Sequence, residues 1–109
     1  MLVQPYVSTR LHAVLEDRAG KLANNSRLYM FPGMGHCLGG VGADSADLIS
    51  GIVNWVEKGV APDDSLLATK FDNARNVLFT RPLCAYPNSY QYHNGDPNDA
   101  QSYQCKKNK

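Results

Sequence analysis

Apolar residues recur along this chain at helical spacing in two places and in short β-type runs in three others. Leu11, Val14 and Leu15 fall at i, i+3, i+4 behind Ser8 or Thr9, either of which suits a helix N-cap, and Gly20 is placed to stop that helix. Asn24-Asn25-Ser26 then reads as a turn, and residues 27–31 form a short strand-type run that Pro32 cuts off. Residues 33–42 are mostly glycine and small side chains, hence a loop. A second helix is expected to begin at Asp44 or Ser45. Its apolar face is broad (Leu48, Ile49, Ile52, Val53, Val56), and Gly59 and Pro62 end it. Residues 66–70 and 77–80 read as two strands joined around Asp72-Asn73-Ala74. Beyond Arg81 the mixture of Tyr, Pro, Asn and Asp predicts an ordered but irregular tail.

Helix, strand, loop, helix is an α/β order, with helices packed on a sheet. Only one strand precedes the second helix, too few for a self-sufficient parallel sheet. That helix is apolar enough to need cover that this chain barely supplies. The pattern therefore predicts an incomplete sheet with two main helices, and a piece of a larger fold rather than a whole one.

Length and charge narrow the function classes. The 109 residues allow at most one small domain. A net charge of +1 gives no electrostatic reason to expect nucleic acid or an anionic membrane as partner. No apolar run approaches the roughly 20 residues that span a bilayer. The first residues lack the basic and apolar stretches of a secretory signal. Three cysteines, Cys37, Cys84 and Cys105, leave one without a partner in the chain. Cys84 and Cys105 share the tail, with no further metal-type ligand at useful spacing. That context suggests a disulfide closing a loop of about 20 residues, contributing on the order of 3 kcal/mol. Such a bridge implies an oxidising compartment, and the Asn24-Asn25-Ser26 sequon is compatible with secretion.

The glycine-rich loop is the candidate for chemistry, because it follows a strand and precedes a helix, where α/β proteins place their sites. A dinucleotide fingerprint would need glycine at position 38, which is Leu38, and the Gly-Lys-Ser/Thr ending of a phosphate loop is absent. His36 remains. It is either a general base turned into a cleft by its flanking glycines or a surface histidine with no role. His12 and His93 are expected to face solvent, and a zinc site built on His36 and Cys37 lacks a recognised ligand spacing. Tyr6, Trp55 and Tyr86 are expected in the core, with a cleft as the alternative.

The run Pro32-Gly33-Met34-Gly35-His36-Cys37, with Gly39-Gly40, Gly42 and Asp44-Ser45, resembles the C-terminal part of the tannase and feruloyl esterase family. The resemblance continues from Ile52 through Trp55 to Pro62, returns at Thr80-Arg81-Pro82-Leu83-Cys84, and ends at Cys105. It implies the C-terminal portion of an α/β-hydrolase fold, spanning residues 1–109, from a secreted serine esterase acting on hydroxycinnamate or gallate esters. On that resemblance His36 matches the triad histidine. Cys37 matches a cysteine that bridges to one beside the nucleophile, and Cys84 and Cys105 match a C-terminal pair. No Gly-x-Ser-x-Gly frame and no Cys-Ser pair occur here, and the triad aspartate is expected at, or a residue or two before, the position ahead of Met1. Nucleophile, acid and the lid domain, which in the family often holds calcium, are therefore expected outside this chain, with no cofactor in this segment. The isolated chain is expected to be inactive. The alternative is a non-catalytic relic, or an interaction module that docks on a separately encoded N-terminal half.

Overall fold

The computed structural model describes residues 5–19, 25–36 and 38–107. Gly20, Asn24 and Cys37, three positions singled out in the sequence, lie outside them. The order is helix α1 (Pro5–Ala19), strand β1 (Ser45–Ala46), helix α2 (Leu48–Lys58), strands β2 (Leu66–Phe71), β3 (Val77–Leu83) and β4 (Asn88–Tyr92), a single 3₁₀ turn (Ala100–Ser102), and strand β5 (Tyr103–Lys107).

Helix α1 begins earlier than its hydroxyl caps suggest, with Pro5 at the first helical position, where a missing N–H costs nothing and φ is already set. Helix α2 begins later than expected. Asp44 and Ser45 do not start it; Asp47 caps it, its carboxylate accepting the Ser50 N–H at 3.0 Å. Ser45 and Ala46 instead pair with Thr69 and Ala68 of β2. The helix ends as anticipated at Gly59, whose φ of 70° is left-handed and whose N–H donates to the Trp55 carbonyl at 3.1 Å, the 5→1 bond of an αL cap.

Strands β1, β2 and β3 form an antiparallel sheet in that order, so the sheet that lies in this chain is not parallel. The β2–β3 register pairs Leu66 with Leu83, Ala68 with Arg81 and Lys70 with Phe79. Its turn is held by Asp72, whose carboxylate accepts the N–H groups of Ala74 at 2.9 Å and Asn76 at 2.8 Å. Residues 27–31 do not become a strand. Among them only Tyr29 makes a bridge, to Ala85, beside the Tyr86 N–H bond to the Leu28 carbonyl at 2.8 Å. The tail is more regular than its composition suggests. Tyr90 pairs with Cys105 and Tyr92 with Tyr103, so β4 and β5 form a two-stranded antiparallel sheet.

Three features fasten that sheet to β3. Cys84 and Cys105 are joined in a disulfide with Cα atoms 5.6 Å apart. Thr80 N–H donates to the Asn98 carbonyl at 2.9 Å, and Ala100 N–H to Thr80 Oγ1 at 2.8 Å. The Arg81 guanidinium lies 4.6 Å from the Phe79 ring centre and 4.7 Å from that of Tyr103.

The core is small: Ala43, Ala68 and Leu83, flanked by Tyr29, Phe31, Ala46, Leu66 and Phe79. Both helices keep their apolar faces open, which the sequence anticipates for α2 only. Ile49 and Val56 of α2 are 73% and 78% exposed, and Leu11 of α1 is 57% exposed. Trp55 is only partly covered, by Arg27 at 4.9 Å from its ring centre, and Tyr86 is exposed, so neither is a core aromatic; the Tyr6 side chain lies outside the described residues. His12 is not solvent-facing: its ring packs edge-on to Tyr86 at 6.1 Å and stands 3.9 Å from the Glu16 carboxylate. His93 is exposed as expected.

Candidate functional site

Residues 32–36 and 38–44 fold into a compact double-backed loop between the Tyr29 bridge and β1. Gly42 N–H donates to the Gly33 carbonyl at 2.9 Å, Met34 bridges Gly40, and Gly35 N–H closes the tip onto the Gly39 carbonyl at 2.9 Å. His36 and Leu38 therefore stand at the tip, with Cys37 between them in sequence. The packing of backbone on backbone explains the glycines. A Cβ at Gly42 would fall on the Pro32 carbonyl oxygen, and Gly40, at φ 85°, faces the Gly33 carbonyl so closely that no side chain fits.

Two charged side chains grip this loop from the sheet. The Asp44 carboxylate accepts Gly39 N–H at 2.7 Å, Lys70 Nζ donates to the Gly40 carbonyl at 2.9 Å, and the two groups are 3.8 Å apart. Neither belongs to the chemistry legible in the sequence, where Asp44 looks like a helix cap. The usable signal is an acid placed directly behind glycines whose N–H groups need an acceptor.

The His36 imidazole is exposed and, among the described residues, makes no hydrogen bond or ion pair. A neutral imidazole in that setting has a free nitrogen to accept a proton and a second to be oriented by an acid. Cys84 and Cys105 are brought together where the end of β3 meets β5. Asp64 stands beside them, and these three residues form a group with metal-ligand spacing. Both sulfurs are spent in the disulfide, and a bridged sulfur is no thiolate ligand. Asp64 is occupied in accepting Ala85 N–H at 2.9 Å, so this group does not fit a metal.

A cleft of about 350 Å³ opens between α2 and the segment carrying Arg27 and Tyr29, with Trp55 and Ile52 on its wall. Arg27 pairs with the Asp63 carboxylate at 2.8 Å, and the Tyr29 phenol donates to the Asp63 carbonyl at 2.6 Å. Burial pushes the Tyr29 phenol above its ordinary pKa; Arg27 opposes the shift and Asp63 and Asp64 add to it. His36 does not line this cleft.

Comparison with known proteins places the chain. The family model described as tannase and feruloyl esterase matches residues 2–106. A probable feruloyl esterase of Arthroderma benhamiae is 40% identical over 112 aligned positions, which cover 97% of this chain and 21% of that protein. The mono(2-hydroxyethyl) terephthalate hydrolase of Piscinibacter sakaiensis is 39% identical over 98 positions, covering 88% of this chain and 16% of that one. Among solved structures, an esterase from Aspergillus oryzae superimposes with a TM-score of 0.85 at 28% identity, over 95% of this chain and 25% of that one. The chain shares the α/β-hydrolase-type fold of such esterases, contributing two helices, small antiparallel sheets and the Cys84–Cys105 disulfide. It spans about a fifth of the length of these two curated relatives.

Proposed function

Because the chain belongs to the tannase and feruloyl esterase family of carboxylic ester hydrolases, we propose that it is the histidine-bearing C-terminal portion, residues 1–109, of a secreted serine esterase for aromatic esters. His36 is its proton-transferring residue. The observation that carries the reading is His36 itself: exposed, with no hydrogen bond or ion pair among the described residues, at the tip of a loop held by backbone packing and by Asp44 and Lys70. A histidine with no role has no need of so constrained a support.

In this reading a serine from a preceding N-terminal portion attacks the ester carbonyl while His36 takes its proton. The same imidazolium then protonates the departing alcohol. An aspartate from that portion orients the second ring nitrogen. Cys37 is bridged to a cysteine beside the nucleophile, which limits drift between two loops far apart in sequence. The open apolar faces of α1 and α2 are where the N-terminal portion packs. The relatives' named substrates, a feruloyl ester and a terephthalate monoester, share an aromatic acyl group, which supports an aromatic ester such as a hydroxycinnamate or gallate here. The Cys84–Cys105 bridge supports an oxidising, extracellular setting. No cofactor is assigned to this segment, and any calcium of the lid is held by other residues.

Co-expression of the chain with the product of the reading frame upstream, followed by assay on methyl ferulate, tests this. The chain alone is expected to be inactive, the complex active, and His36→Ala in the complex slower by at least about 10³-fold. Activity of the chain alone, abolished by His36→Ala, would overturn its dependence on an N-terminal portion. An active complex indifferent to His36→Ala would overturn the role of His36. Inactivity of a well-formed complex would instead favour a non-catalytic relic or interaction module, for which the exposed helix faces also speak.

A further inference from the structure

We propose that Asp44 and Lys70 act together as a positioning clamp that sets where the His36 imidazole stands. The inference rests on the reading of His36 given above and extends it to two residues with no place in the triad chemistry. His36 makes no hydrogen bond or ion pair among the described residues, so its position depends chiefly on the backbone that carries it. That backbone contains Gly39 and Gly40 at φ 81° and 85°. Glycines lose more conformational freedom on ordering than any other residue, so such a loop needs external fixing.

The fixing is asymmetric and complete at this dipeptide. Asp44 holds its entry, the Gly39 N–H, at 2.7 Å, and Lys70 holds its exit, the Gly40 carbonyl, at 2.9 Å. With both ends held by charge-assisted bonds, the peptide unit between Gly39 and Gly40 has little freedom to rotate, and Gly39 in turn closes the tip through Gly35. Neither clamp residue is loosely hung. Both side chains are about four-fifths buried, with 19% and 20% relative exposure for Asp44 and Lys70. Lys70 belongs to β2, opposite Phe79, and Asp44 immediately precedes β1, whose Ser45 pairs with Thr69. The clamp therefore ties the loop to the β1–β2–β3 sheet.

Errors of about 1 Å in the placement of a catalytic group cost about 100-fold in rate. In the complex with the N-terminal portion, Lys70→Met and Asp44→Ala are each expected to lower kcat on methyl ferulate about 10- to 100-fold with KM within about twofold. Asp44→Asn, which keeps an acceptor oxygen for Gly39, is expected to recover part of that loss. The Asp44→Ala/Lys70→Met double variant is expected to be no slower than the slower single one, because the pair acts as a unit. In the chain itself, NMR is expected to show the Gly39 amide proton moving upfield in Asp44→Ala, and the His36 ring signals shifting in both single variants. An unchanged kcat in either Lys70→Met or Asp44→Ala, multiplicative losses in the double variant, or unmoved Gly39 and His36 signals would overturn the clamp. Should the unmodified complex prove inactive, the reading of His36 as a catalytic residue fails, and the NMR measurements alone decide whether the clamp exists.

Discussion

Removing the Cys84–Cys105 bridge separates the local role of the tail from its contribution to the whole. The bridge spans 21 positions, and the chain between its ends includes all of β4 and the 3₁₀ turn. Closing a loop of that size removes about 3 kcal/mol of entropy from the opened state, so the unit that gains freedom when the bond is lost is the β4–β5 sheet. What still holds the sheet is modest: the bonds of Thr80 to Asn98 and Ala100 at 2.9 and 2.8 Å, and Arg81 against Tyr103 at 4.7 Å. These contribute about 1 kcal/mol each, enough to keep it docked but not to prevent opening. In Cys84→Ala/Cys105→Ala, amide exchange at Gln91 and His93, whose N–H groups face the return strand (His93 to the Ser102 carbonyl at 2.7 Å), is therefore expected to accelerate about 100-fold, the equivalent of about 3 kcal/mol. Amides of Ala68 and Thr69 lie in the β1–β2–β3 ladder and are expected to change by less than about fivefold. Native-state hydrogen exchange followed by NMR reads both regions in one experiment. Equal acceleration in the two sheets would refute the local assignment, and a change below about fivefold in β4 would refute the loop-entropy estimate.

Gly42→Ala places a methyl group on the Pro32 carbonyl oxygen; the loop must part, with a stability loss of about 1–3 kcal/mol in a denaturant titration and, in the complex, about 100-fold slower ester hydrolysis. A variant as stable as the parent would show the double-backed loop to be wrong. The Asp47 carboxyl is held below its ordinary pKa of 3.8 by its hydrogen bonds from Ser50. Its folded pKa is depressed, so its stabilisation of α2 is present above the unfolded value and lost as pH falls through the folded one. The Ser50 amide shift should accordingly titrate with a midpoint below 3.8 and be flat in that window in Asp47→Asn; a midpoint at or above 3.8 would contradict the cap. Ile49 is 73% exposed, so Ile49→Lys should leave the chain's own stability within about 0.5 kcal/mol while weakening co-purification with the N-terminal portion. Unimpaired co-purification would remove the α2 face from that interface.

The candidate site is partly legible in the sequence. His36 stands out as a titratable side chain among glycines, which by itself leaves open a surface histidine with no role; the resemblance of its neighbours to a known family implies a chemical role for it. Asp44 and Lys70 are not legible as a pair. They are 26 positions apart, and only the antiparallel return of β2 beside β1 brings the ammonium to the loop. Asp44 has the look of a helix start, since a carboxylate ahead of an apolar run carries the same local signature whether it caps a helix or a loop. Asp47, three residues later, takes the cap because Ser45 and Ala46 are drawn into the sheet. The β4–β5 sheet is obscured by its Pro and Asn content, although Tyr90, Tyr92, Tyr103 and Cys105 alternate at the period of two that a strand requires.

What the sequence determined by itself is what depends on neighbours along the chain: the apolar stripe of α2, the left-handed stop at Gly59, the β2–β3 turn at Asp72, and the glycines without which residues 33–42 cannot fold back on themselves. These follow from backbone geometry and periodicity over a few residues. Tertiary structure decided which bonding groups met across longer separations. It left residues 27–31 with a single bridge, turned His12 onto Tyr86, and set Asp44 and Lys70 on the loop of His36. The physical reason is that hydrogen bonds and ion pairs are satisfied wherever the folded backbone brings partners within about 3 Å, and that distance is a property of the assembled sheet, not of spacing in the sequence.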